Sequence, residues 1–175
     1  MTYTGQAYDR YIKKCTQQEA VRTFIFVAHK LKEIHKKAYA HNDHKQNNIS
    51  IGVSKVVDIH IIEYSLSTRL GEVLRPSGER SIRLPWYAPE LYAAKLSTPA
   101  SDVYSFGEVI ANVGKSVYNP NINDALTVHR MFANKERPAD RPTLSVLIKQ
   151  LRVIAEAADV MCLRGRARFP QHQAG

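Results

Sequence analysis

The feature that most limits how this chain can fold is a junction. A helical pattern of apolar residues runs into eight polar residues, His41-Asn-Asp-His-Lys-Gln-Asn-Asn48, and an Ile-rich pattern starts straight after them. Val21, Phe24, Ala28, Leu31 and Ile34 fall on one helix face, so a helix there buries one stripe and leaves the Lys residues outside. Thr16-Gln-Gln-Glu19 in front of it has the spacing of a capping box, with Thr16 at the N-cap and Glu19 three residues on. The helix ends at His35-Lys-Lys-Ala38. Ala in a left-handed cap position is strained, so this end is expected to be shaped differently. Asn48 to Ile51 and Val56 to Ile62 are rich in Ile and Val and read as two short strands joined at Gly52-Val-Ser-Lys, a hairpin under the polar loop.

Around this junction the sequence predicts a mainly α (α+β) domain. Tyr8, Tyr11, Ile12 and Cys15 give a short helix within residues 3 to 15. Leu66 to Pro85 is rich in Arg, Ser and Gly without periodicity and reads as an exposed loop. Phe106, Val109, Ile110 and Val113 are apolar on more than one side of a helix, which suits a central buried element. Val113 to Asn123 is short and turn-like, Ala125 to Ala133 is a helix, and Leu144 to Ala158 carries the last long helix behind Thr143 as N-cap. The domain is placed at residues 3–162, with a basic, disordered tail at 163–175.

Composition excludes several classes. The chain has 175 residues, 44% hydrophobic and 23% charged, ordinary for a globular domain with a sizeable core. The apolar run Phe24 to Ala28 is too short to cross a bilayer and Met-Thr-Tyr-Thr-Gly-Gln is no signal peptide, so a cytoplasmic protein without a membrane partner is expected. Cys15 and Cys162 are read as buried thiols, with neither a disulfide framework nor zinc spacing. A net charge of +9 invites a nucleic-acid partner. The basic residues are dispersed along the chain and lack interleaved aromatics, so nucleic acid is set aside.

The polar loop carries the chemistry. Asp43, Lys45 and Asn48 stand at D, D+2 and D+5, a spacing that lets a turn present a proton acceptor, a cation and an amide oxygen to one point. The loop resembles the protein-kinase catalytic loop H-R-D-L-K-x-x-N at His41, Asp43, Lys45 and Asn48, with Asn42 in place of Arg and His44 in place of Leu. Ala88-Pro-Glu90 within Trp86-Tyr-Ala-Pro-Glu-Leu91, then Ser101-Asp-Val-Tyr-Ser-Phe-Gly107, then Arg137-Pro-Ala-Asp-Arg-Pro-Thr143 come next in the family's order. From about Tyr3 to about Leu151 the chain resembles the C-terminal, catalytic-loop lobe of the protein kinase superfamily.

The resemblance implies a set of roles. Asp43 would accept the substrate hydroxyl proton, Lys45 would stand beside the transferred phosphoryl and favour Ser/Thr acceptors, and Asn48 with Glu63 would bind magnesium. Glu63-Tyr64-Ser65 occupies the place of D-F-G, with Tyr64 keeping the aromatic; Asp58, a rival for the metal, lies too early in its strand. His41 and Asp102 would order the loop, Asp102 through its backbone amides, and Glu90 would pair with Arg141. Asn42 removes the cation that meets loop phosphate in the family, so phosphorylation is not expected to switch this chain in the usual way. The Gly-rich loop and strand-three Lys of the family's N-terminal lobe are not among these residues. A truncated or pseudokinase lobe is therefore expected, binding ATP and magnesium weakly or not at all by itself, with a protein substrate or protein partner. Two alternatives stand beside it. One is a non-catalytic partner-binding scaffold; the other is a small-molecule phosphotransferase with an H-x-D-x-x-x-x-N loop, against which the Trp86 and Asp102 motifs count.

Overall fold

The computed structural model describes residues 5–53, 57–74, 84–114 and 120–167. The fold is mainly helical, with a small sheet at one side. The capping box at Thr16 and Glu19 closes in both directions and starts α2, Gln17–Lys36. Val21, Phe24, Ala28 and Leu31 are fully buried, while Lys36 and Lys37 are exposed.

At the end of α2, Ala38 takes the left-handed conformation, φ 62°, so the expectation of a differently shaped end is corrected. The strain of a side chain there, roughly 1–3 kcal/mol, is offset by two interactions beside it. The Ala38 carbonyl accepts from the Leu70 amide at 2.9 Å, and β2, Tyr39–Ala40, pairs antiparallel with β5, Thr68–Arg69. The chain must turn at residue 38 to enter this ladder.

The hairpin consists of β3, Ile49–Val53, and β4, Val57–Ile61; residues 54–56 of its turn lie outside the described residues. Ile49 faces Ile61 and Ile51 faces Ile59, and all four are buried, so one face of the hairpin is core. The sheet has a third strand that sequence pattern does not reveal. β1, Gln6–Ala7, pairs with Ser50 and Ile51 of β3, and two residues are too few to show a period. The N-terminal helix is accordingly shorter than expected: α1 spans Tyr8–Ile12. Cys15 is half-buried rather than buried, with its thiol pushed up to about 11 mainly by desolvation; the Cys162 side chain lies outside the described ones.

Behind a short α3, Pro89–Tyr92, α4, Pro99–Gly114, runs through the middle with buried residues around most of its circumference. Phe106 meets Phe24 of α2 edge to face at 6.4 Å. α5 begins at Pro120 and ends at Ala133, five residues earlier at its start than apolar spacing alone indicates. It lies close on α4 because residue 107 is Gly: a Cβ there would stand 2.8 Å from Ala133 Cβ and 2.8 Å from Asn134 Oδ1. Residues 115–119, between α4 and α5, and 75–83, in the expected exposed loop, are outside the described residues. α6, Leu144–Ala167, packs along α2 and takes in residues 163–167, where composition predicts a disordered tail. No helix among the described residues is long and apolar enough to cross a membrane.

One buried ion pair ties α3 to the base of the helices. Arg141 donates to both oxygens of Glu90, at 2.7 and 2.8 Å, and its remaining N–H groups reach the carbonyls of Ala100, Lys135 and Glu136. All five guanidinium donors are thus satisfied. The group also lies 5.0 Å over the Tyr104 ring. Burial disfavours the Glu90 carboxylate, but Arg141 and the Ser101 hydroxyl outweigh it and hold its carboxyl below the usual range. Arg141→Ala leaves Glu90 buried without its partner and is expected to cost about 3–5 kcal/mol in urea unfolding. Arg141→Lys, with three donors and no fork, should recover only part of it; a midpoint unchanged in Arg141→Ala would refute the structural weight given to the pair.

Candidate active site

The polar loop sits where α2, β3 and α4 meet. Its backbone is fixed by one carboxylate: Asp102, wholly buried in the first turn of α4, accepts the amide N–H of His41 and of Asn42, each at 2.8 Å. The His35 ring, at the end of α2, donates Nε2–H to the same group at 2.9 Å. Desolvation works against this charge, yet His35 and the two amides prevail and keep the carboxyl below its usual range.

The loop can be tight because residue 42 is Asn. It stands at φ 65°, a conformation Asn tolerates better than most residues. Its side chain is bonded at both ends, donating to the Leu66 carbonyl and Thr68 Oγ1 and accepting from Ser97 Oγ at 2.6 Å. His41 reaches the next strand: its Nε2–H donates to the Ile62 carbonyl at 3.0 Å while Nδ1 accepts from the Asp43 amide at 3.3 Å. Tyr64 packs its ring on the edge of His41 at 5.1 Å, with much of its surface exposed.

Asp43 is the centre of the site. Its Oδ2 accepts from Lys45 Nζ and from Asn48 Nδ2, each at 2.9 Å, and its Oδ1 accepts from Trp86 Nε1 at 2.9 Å. Lys45 also lies 5.1 Å over the Trp86 ring. Burial opposes the charge on Asp43, but Lys45, Trp86 and Asn48 outweigh it and hold the carboxyl below the usual carboxylate range. A carboxylate offers about four lone-pair positions, and the described residues take three. The open one is on Oδ1.

Asn48 donates to the Asp43 carbonyl as well, at 2.7 Å, so its Oδ1 is the atom left to meet a cation. Its carbonyl accepts from the Ile62 amide at 2.9 Å, which fixes the residue before Glu63 to the loop; Glu63 itself is exposed and left-handed at φ 64°. Asp58 is exposed in β4, bonded to His60 at 2.7 Å and paired with Gly52 at the far end of the hairpin. Among the described residues no group of three or more His, Cys, Asp or Glu could hold a metal ion. The amide oxygen of Asn48 and the carboxylate of Glu63 are hard oxygen donors, and two such donors with water and phosphate suit magnesium.

A family model described as Protein tyrosine and serine/threonine kinase matches residues 9–153. The chain belongs to that kinase family. A comparison with curated proteins finds no match. Within this kinase domain, sequence reasoning assigns Trp86 no role of its own, only a place in its motif. The available signal is chemical: an indole N–H that leaves the solvent needs an acceptor, and Asp43 is that acceptor.

His44 stands out in the sequence only as a departure from Leu. It is fully buried against His41 and Phe106, and neither of its ring nitrogens has a partner in the described structure. Desolvation first, then His41, push its pKa down to about 3; Asp102 and Asp43 oppose this, and His35 adds a smaller downward push. The unfolded ring titrates near 6.5, so the unfolded chain takes up a proton in a range where the folded chain does not. Stability from this residue is complete above pH 6.5 and is lost as pH falls toward 3. Thermal melts should fall between pH 7 and pH 5, before the carboxylates titrate, and His44→Leu should flatten that part of the profile. An unchanged slope in the variant would show that the loss comes from elsewhere.

Proposed function

We propose that this kinase-family chain is the catalytic-loop lobe of a domain that transfers phosphoryl groups to protein Ser or Thr hydroxyls, with weak or absent activity in these residues alone. The observation that carries the reading is the lone pair that the described residues leave open on Asp43 Oδ1, on a carboxylate whose other oxygen is held by Lys45 and Asn48. When bound, ATP with magnesium supplies the phosphoryl group and neutralises its charge. A substrate hydroxyl would donate to Asp43 Oδ1, so that its oxygen attacks the terminal phosphorus as the bond to the departing diphosphate oxygen breaks. The proton passes to Asp43. Because Lys45, Trp86 and Asn48 stabilise this carboxylate, it is a weak ground-state base, and the proton moves late in the step. Lys45, at D+2, favours Ser and Thr and sits where its charge offsets that of the transferred group. Asn48 Oδ1 and Glu63 would hold the metal.

The non-catalytic reading, a partner-binding pseudokinase lobe, is favoured by one observation. Glu63 stands in the place of an Asp and is exposed in a left-handed backbone. Glu is one methylene longer, and magnesium demands near-ideal octahedral geometry at about 2.0–2.1 Å. A carboxylate carried past that position holds the ion poorly. We therefore expect metal placement to limit the reaction.

Phosphate transfer to Ser/Thr peptides, measured on the longest natural polypeptide that contains these residues, separates the readings. Glu63→Asp should raise the rate, and Asp43→Asn should lower it by about a hundredfold or more. Activity intact in Asp43→Asn would remove this site from consideration. Activity absent from both the natural protein and Glu63→Asp would favour the binding module.

A further inference from the structure

Trp86 touches both of the groups on which the candidate chemistry turns, and it touches them in different ways. Its indole N–H donates to Asp43 Oδ1 at 2.9 Å, and the Lys45 ammonium lies 5.1 Å over its ring. Lys45 in turn donates to the other oxygen of Asp43, at 2.9 Å. The three side chains close a triangle. Two of its sides are charge-assisted hydrogen bonds, stronger than neutral ones, and the third is the attraction of a cation to the face of an indole.

Packing does not fix this triangle on its outer side. A cavity of about 260 Å³ opens beside Lys45 and Trp86, and neither side chain is fully buried. The indole is held instead from its backbone. The Trp86 carbonyl accepts from the buried Ser105 hydroxyl at 2.6 Å. Ser105 stands three residues after Asp102 on α4, so the two are neighbours on one helix face. Asp102 fixes the loop that carries Asp43, and Ser105 fixes the segment that carries Trp86. Donor and acceptor are therefore both anchored to the same helix.

Lys45 and Asn48 occupy Oδ2 of Asp43, and Trp86 occupies one side of Oδ1. Among the described residues this leaves an acceptor hydroxyl one direction of approach to the carboxylate. Without the indole N–H there would be two, and the carboxylate would be less restrained in rotation. We propose that Trp86 is a positioning residue of this site, a clamp whose N–H aims Asp43 and whose ring holds Lys45, so that base and cation keep one fixed relation. Its effect on the rate rests on the phosphotransfer reading; the clamp itself does not.

Trp86 is the only Trp of the chain, so its indole N–H gives a single signal in a nitrogen–proton NMR spectrum. At neutral pH that signal is expected at low field, and Asp43→Asn should move it upfield, because a neutral amide is a weaker acceptor than a carboxylate. The second arm replaces Trp86 by benzothienylalanine, which keeps the fused ring and has sulfur in place of N–H. Shape is conserved, so the amide spectrum away from the site should be unchanged. In phosphate transfer by the longest natural polypeptide, this replacement should lower kcat by about tenfold, with KM for the acceptor peptide unchanged. An indole signal that stays in place in Asp43→Asn, or a kcat unaltered by the replacement, would overturn the proposal. A natural polypeptide that transfers no phosphate, while Asp43→Asn still moves the indole signal, would overturn the phosphotransfer reading and support the clamp.

Discussion

The structure depends on a carboxylate that has no contact with water. Asp102 is at the start of the central helix α4, and burying a charge there would cost several kcal/mol if nothing met it. Three N–H donors do, from His35, His41 and Asn42. They come from the end of α2 and from the polar loop, so one group fixes the relative position of the helix that leads into the loop, the loop itself and the helix behind it. The strained turn at Ala38 lies between two of these donors. It is held because the segments on either side of it are held.

Asp43 is the buried carboxylate of the loop itself, and it is satisfied in a different manner from Asp102. Asp102 is bonded mainly to backbone, which makes it a structural anchor whose partners move only if the loop unfolds. Asp43 is bonded to three side chains, Lys45, Asn48 and Trp86. Side chains can yield to a substrate where backbone amides cannot. Both carboxyls are held below their usual range, and the difference lies in what can be exchanged. That contrast is the physical reason to place chemistry at Asp43 and architecture at Asp102.

Much of this was legible in the sequence because it was local or periodic. The stripe on α2 and the capping box come from spacing alone, and the two strands of the hairpin from their Ile and Val content. The pairing of residues far apart, Asp102 with the loop and Glu90 with Arg141, was available only through the family resemblance, since spacing says nothing about two charges 51 residues apart. What stayed hidden had no period or no precedent. β1 and β5 are two residues each. The early start of α5 rests on Pro120, Asn121 and Ile122, where one apolar residue gives no stripe. The bond from Trp86 to Asp43 needs a side-chain direction, which sequence does not encode on its face, and the left-handed Ala38 contradicts local preference because tertiary pairing overrides it.

Asn42 shows how one such departure is accommodated. In related kinases the residue before the catalytic Asp is an Arg, and its charge must be balanced by phosphate or another anion for the adjoining segment to order. An uncompensated guanidinium in so buried a position would be costly. Here an amide fills it, neutral and short. Its two ends bond Leu66, Thr68 and Ser97, so the segment after β4 is tied to the loop without any charge to balance. The same residue accepts the left-handed turn that lets both loop amides point at Asp102. Substituting an Arg would undo both features at once, since it has no acceptor for Ser97 and less tolerance for φ near 65°. The loop is therefore ordered by neutral hydrogen bonds at residue 42, and the ionic interactions that remain are concentrated at Asp43, where a reaction would use them.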